Sequence, residues 1–184
     1  REVGMTQPNA ANKATSRRFR HATMRDLPHM QKIYARAREL MAANGNPTQW
    51  GNEFPRESVI EDDIANQRTV LLVDTCNGHE RILAQFALCP GEDPTYAHID
   101  GAWLDDDPYV TIHRIASSGL VKGAAKDCIN WCIEHYGNVR ADTHPNNKAM
   151  QHVLESNGFA RCGLIQLLDR PSDTTRIAYQ RHEW

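Results

Sequence analysis

No apolar run in the 184 residues approaches the ~18 that a membrane-crossing helix needs, and no apolar signal core follows Arg1. A membrane role is therefore not expected. Excess charge is also missing: 21 Lys and Arg stand against 23 Asp and Glu, a formal net charge of −2. The basic residues are not clustered, so nothing favours nucleic acid or an acidic lipid surface. The cysteines Cys76, Cys89, Cys128, Cys132 and Cys162 form no CxxC pair and no zinc spacing, so no metal site and no disulfide framework is expected. That usage fits a reducing cytoplasm, the expected location.

What is present suffices for a core without staples. A chain this long buries roughly two thirds of the surface its unfolded form exposes. Residues 1–16 are polar and lack periodicity, and read as a disordered or vector-derived leader. Residues 17–184 read as one domain. Arg17 to Ala22 predicts a short strand. Leu27, Met30, Ile33, Tyr34, Ala37, Leu40 and Met41 recur at helical spacing, and Asn44-Gly45 marks that helix's end. A second helix is expected after Pro55. Its acids Asp62 and Asp63, with the nearby Glu53, read as a solvated face or as a lure for a cationic amine.

Strands are expected over Thr69–Thr75 and Arg81–Cys89, joined by the hairpin signal Asn77-Gly78. Tyr109–Ala116, Val139–Thr143, Ala160–Leu168 and Thr175–Gln180 complete the set. Helices are expected over Gly123–Tyr136 and Asn147–Asn157. Cys128 and Cys132, four apart on one of them, read as small buried apolar residues. The order predicts a mixed α/β (α+β) fold, with a largely antiparallel sheet and one parallel crossover.

Thr111 to Phe159 carries most of the information. Between a strand and a helix lies Ser117-Ser118-Gly119-Leu120-Val121-Lys122-Gly123-Ala124-Ala125-Lys126. Small residues let backbone amides approach a ligand closely, and the helix points its positive end at the same spot. Such a site suits a pyrophosphate, hence a cofactor and a transferase. Asn147 fits a helix N-cap, and Gly158 a left-handed residue closing that helix, with Phe159 in the core.

Gly123 and Ala125 in the loop, then Asn147, Met150, Gly158 and Phe159 with a strand between, resemble the GNAT superfamily of acyl-CoA-dependent N-acetyltransferases. His113 to Ala116, Asp142 to His144 and Gln49-Trp50 resemble one subgroup of it. The resemblance implies a mostly antiparallel, twisted sheet of about six or seven strands flanked by about four helices. It implies acetyl-CoA as co-substrate, held by Val121, Lys122, Gly123, Ala124, Ala125, Lys126 and Asn147, with the thioester beside Ile115, Ala116 and Ser117. It implies acetyl transfer to the primary amine of a small molecule by direct attack in a ternary complex. The alternatives are a non-catalytic acyl-CoA-binding module and a protein or peptide N-acetyltransferase. A homodimer is compatible with either.

Two positions depart from the pattern. Leu120 stands where the family usually has Gln or Arg, and Leu154 where it often has an acidic tyrosine. Candidate general bases are Asp100, His113 and Glu92, with His98 beside them; for His113, a plain hydrogen-bonded strand histidine is the other reading. Strand alternation would put His113 and Ile115 on one face, Ile112 and Arg114 on the other. Trp50, Phe54, Trp103 and Tyr109 are the candidate acceptor pocket, with ordinary packing as the other reading.

Overall fold

Residues 14–184 are described in the computed structural model of the chain. In chain order they form β1 (Arg18–His21), α1 (Leu27–Ala43), α2 (Glu57–Ala65), β2 (Thr69–Cys76), β3 (His79–Pro90) and β4 (Asp100–Gly101). Then come β5 (Val110–Ser117), α3 (Ala124–Tyr136), β6 (Asn138–Thr143), α4 (Lys148–Ser156), β7 (Ala160–Gln166) and β8 (Thr175–His182). The strands make one eight-stranded sheet in the order β1-β2-β3-β5-β6-β8-β7-β4. Neighbours are antiparallel except β5 and β6, which α3 joins as a parallel crossover.

The mixed sheet and its four helices match the expectation, with one strand more. That strand, β4, is two residues long and meets β7 where Gly101 faces Gly163. A Cβ on Gly101 would lie 2.2 Å from the Cys162 carbonyl oxygen, so only glycine permits this approach.

Residues 1–13 of the expected leader lie outside the described residues. Ala14 and Thr15 correct that reading at its end. Ala14 bridges Cys76, and Thr15 exchanges bonds of 2.8 and 2.9 Å with Thr75, extending the sheet's edge.

Local signals act where they were expected. Asn77 and Gly78, at φ 53° and 79°, turn β2 into β3. Asn147 caps α4 by accepting the Met150 amide at 3.0 Å. Gly158 follows α4 at φ 82°.

Apolar layers cover both faces of the sheet. Cys128, Ile129, Cys132 and Ile133 of α3 and Leu154 of α4 pack with Phe159 on Leu72, Phe86, Ile112, Val139 and Tyr179. Met30, Ile33 and Tyr34 of α1 and Ile60 and Ile64 of α2 pack on Leu71, Val73 and Ala116. Each fully buried aliphatic side chain contributes about 1.5–3 kcal/mol. Cys128 and Cys132 belong to this core, and burial pushes both thiols up. Among the described residues no helix is long and apolar enough to cross a membrane.

Two irregularities in β5 create the site. First, Ala87 faces His113 while Gln85 faces Ala116, so β5 holds one residue too many for its partner. Arg114 sits in this bulge at φ 55°, a conformation that non-glycine residues rarely adopt. The extra residue shifts the phase of the strand. Ile112 and Ile115 both pack toward α3, whereas Arg114 reaches α2 and Ala116 packs against α1 and α2. The strict alternation expected from sequence is thereby corrected. Second, among the described residues β5 and β6 share two pairs, Val110–Val139 and Thr111–Arg140. From Ile112 onward the strands part.

Candidate active site

The parting of β5 and β6 opens a cavity of about 420 Å³. One half is walled by Ile112, Ile115, Ile129, Ala141, Thr143, Asn147, Met150 and Leu154. The other half is walled by His113 and Arg114, by Asp93–Thr95 after β3, by Gln49 and Trp50 between α1 and α2, and by Leu167–Arg170 and Arg176.

His113 points its Nε2 at Asp93 Oδ2, 2.7 Å away. Asp93 is itself held: its Oδ1 accepts the Thr95 amide at 3.0 Å, and its own amide donates to the Tyr109 hydroxyl at 2.8 Å. Burial pushes the Asp93 carboxyl up, but the bonds from His113 and Thr95 outweigh it and hold it below the usual carboxylate range. A carboxylate so placed fixes the imidazole's orientation.

The bulge is clamped from both helices of the opposite face. Arg114 donates to Asp63 at 2.8 and 2.9 Å, and Arg68 adds a third bond to Asp63 at 3.0 Å. The Tyr34 hydroxyl donates to the Arg114 carbonyl at 3.0 Å. Asp63 is 2% exposed, which corrects the reading of a solvated helix face. Burial pulls the Arg114 guanidinium down, and the Asp63 carboxylate more than reverses this.

A roof closes the acceptor side. Gln49 Oε1 accepts from Asn147 Nδ2 at 2.9 Å and from Asn46 Nδ2 at 2.7 Å. His144 Nδ1 accepts the Asn146 amide at 2.9 Å, so Nε2 is the donor that meets Asp173 at 2.9 Å, with Thr48 at 3.3 Å. The loop between α1 and α2 is thus tied to the start of α4 and to the β7–β8 connection. His144 is 4% exposed.

The phosphate-type loop lies at the surface beyond this cavity. Gly123 precedes α3 at φ 75°, and a Cβ there would meet nothing within 4 Å. The first amides of α3 have no acceptor inside the helix. Lys122, Gly123 and Lys126 are exposed, Val121 and Ala125 are half-buried, and Ala124 is buried. Two arginines brace the loop: Arg17 donates to the Lys122 carbonyl at 3.1 Å and pairs with Asp127, and Arg36 donates to the Ser117 carbonyl at 3.1 Å. Arg36 lies so close over Gly119 that a Cβ there would fall 2.2 Å from its Nη2. An open backbone at a helix start, two lysines and an adjoining cavity with apolar walls fit a diphosphate cofactor with a long thin arm.

The remaining candidates divide plainly. His113, Ile115, Asn147 and Trp50 line the cavity. Ala116 and Ser117 pair with Gln85 and Ala84 of β3 instead. Asp100 sits exposed on β4 at the sheet's far edge, and Glu92 is exposed in the turn after β3; neither lines the cavity. Phe54 does not line it either, but supports Arg170, whose guanidinium lies 3.8 Å over its ring. Trp103 and Tyr109 sandwich the Arg140 guanidinium at 4.1 and 3.9 Å, behind the cavity wall. Sequence reasoning missed Asp93 and Arg176, and named Asp63 only as a solvated or amine-attracting acid. Asp93 carried one signal, a helix-capping acid before Pro94; nothing in the spacing tied it to His113.

Neither a family model nor a curated protein matches the sequence. Solved structures do. A GNAT-family acetyltransferase from Streptococcus agalactiae is similar with a TM-score of 0.79 and 29% identity, over 94% of this chain and 99% of its own. The chain has the GNAT acetyltransferase fold. A GNAT-family acetyltransferase from Listeria monocytogenes is similar in fold, at TM-score 0.63 and 17% identity, over 90% of this chain and 94% of its own. So is a GNAT-superfamily phosphinothricin acetyltransferase from Sinorhizobium meliloti, in complex with AcCoA, at 0.60 and 14%, over 92% and 89%. The parted strands and the bulge of β5 both border the cavity.

Proposed function

We propose that this protein transfers an acetyl group from acetyl-CoA to the primary amine of a small molecule, by direct attack in a ternary complex. One observation carries the proposal: the His113–Asp93 pair faces the cavity between the parted strands. Acetyl-CoA supplies an acetyl group activated as a thioester. The amides of the α3 turn and the Lys122 and Lys126 side chains would hold its diphosphate through backbone N–H groups and charge, respectively.

His113 acts as the base. Alkyl amines have a pKa near ~10, so about a thousandth is unprotonated at neutral pH. The unprotonated amine attacks, and the imidazole accepts the proton its nitrogen sheds as the C–N bond forms, while Asp93 holds the ring and balances its charge. The edge of β5 at Ile115 borders the reacting carbonyl, and one aligned amide donor there is worth about 10²–10³ in rate. The C–N bond forms, the C–S bond breaks, and the sulfur leaves as thiolate. Leu154, 2% exposed, offers no proton, and a thiol pKa near ~8.5 makes an unassisted departure affordable.

The roof favours a small acceptor over a polypeptide. A chain entering from that side would have to separate Gln49 from Asn147 and Thr48 from His144.

Thiol release from acetyl-CoA across a panel of amines tests the function, with CoA binding followed by calorimetry. Turnover that is lost in His113→Gln supports it. Saturable CoA binding without turnover of any amine rejects it in favour of a non-catalytic acyl-CoA-binding module.

A further inference from the structure

Arg170 and Arg176 both line the acceptor half of the cavity, and neither has a carboxylate within 4.0 Å among the described residues. Arg176 is 2% exposed. Its bonds go to backbone carbonyls: Asp173 at 2.7 Å, Thr175 at 2.9 Å and Gln49 at 3.3 Å. Arg170 shares the Gln49 carbonyl, stacks on Phe54, and keeps a buried Nε without a partner. Burial pulls both guanidinium groups down from their ordinary value, and for Arg176 the neighbouring Arg170 adds to this.

Burying a cation beside another cation, with no carboxylate in contact, is unfavourable. The acids of the cavity do not relieve it by contact. Asp93 is engaged by His113, and Asp142 accepts the Tyr96 hydroxyl at 2.6 Å. Asp169 is exposed and Asp173 is bonded to His144; their charges reach both arginines, but neither acid pairs with them. Elsewhere the half-buried Arg114 and Arg81 are matched to Asp63 and Asp74, and the buried Arg140 is held between the rings of Trp103 and Tyr109. Arg170 and Arg176, unpaired, lie in the same cavity.

We infer that the acceptor is an amine carrying an anionic group, a carboxylate or phosphonate, which Arg170 and Arg176 receive while the amine faces His113. The guanidinium fork suits such oxyanions in a bidentate fashion. Trp50, Met41 and Leu167 supply apolar wall for the acceptor's remaining carbons. The amine end of this assignment rests on the acetyl-transfer reading above; the anion end does not.

The test compares amines that differ only in charge: the proteinogenic amino acids, their methyl esters, their decarboxylated amines and the matching aminophosphonates. Binding to CoA-saturated protein is measured by calorimetry, and turnover by thiol release. The free acids are expected to bind about 10–100-fold more tightly than their esters or decarboxylated partners. The phosphonate arm decides which oxyanion fits. Arg170→Gln is expected to remove that preference while leaving CoA affinity and melting temperature unchanged. Arg170 is the better probe, because Arg176 is part of the core.

Esters that bind as well as acids, or no binding by any acid or phosphonate, would overturn the inference. Anionic amines that bind selectively without being acetylated would keep it and remove the transfer reading. Neutral amines acetylated with no preference for the acid would do the reverse.

Discussion

Arg114 in the bulge of β5 and Asp63 on α2 are joined by two hydrogen bonds of 2.8 and 2.9 Å. The pair holds a left-handed arginine in the strand beside the reacting groups. Asp63→Asn leaves Arg114 and Arg68 without their acid. Breaking a buried pair by removing one partner costs about 3–5 kcal/mol, and the lower end applies because a quarter of the Arg114 side chain is exposed. Urea denaturation should show that loss. Turnover should fall further than the unfolded fraction explains, with CoA affinity intact. A fully active, destabilised variant would show that the clamp serves folding alone.

His113→Gln should reduce turnover by about 10²-fold or more, and Asp93→Asn by less, since it removes the orienting group and not the base. Neither should change CoA affinity. The Asp93 carboxyl also makes stability depend on pH. It is held low in the folded state, so its contribution is complete above its unfolded value near ~4 and is lost as pH falls through the folded value. Melting temperatures of Asp93→Asn should therefore decline less than those of the parent below about pH 4. Parallel declines would contradict this.

At the loop, Lys122→Glu should weaken CoA binding about tenfold, since a charge-assisted contact becomes a repulsion. Gly123→Ala should cost about 1–2 kcal/mol through its left-handed backbone and also weaken CoA binding. Calorimetry with CoA separates the effects. Unchanged affinity in both variants would move the diphosphate elsewhere.

Gln49→Leu removes the bonds from Asn46 and Asn147 that tie down the roof. It leaves two amide groups short of an acceptor, a loss of about 1–3 kcal/mol. Amide exchange in the α1–α2 loop should quicken and KM for the amine should rise. Protection equal to the parent's would mean that the roof is held by His144 and Asp173 instead.

The segment from β5 to α4 was legible because its signals are local. Asn147 caps the next turn, Gly158 ends the same helix, and α3 follows its own small-residue loop. What escaped is the joining of distant segments. Asp93 reaches His113 through a short turn that no periodicity marks. Asp63 reads as solvated because a helix pattern counts carboxylates as outward; its partner Arg114 lies on another element. The bulge carries no glycine to announce it, so simple alternation put Ile112 and Ile115 on opposite faces. Trp103 and Tyr109 looked like pocket aromatics, yet their faces are taken by Arg140.

With two rungs joining β5 to β6, the sheet is close to two half-sheets held in register by α3 and α4. Whatever threads the gap with its own donors and acceptors takes over the missing rungs and stitches the halves together. Heat resistance and occupancy should then rise as one quantity, and the unliganded protein should come apart along this seam first.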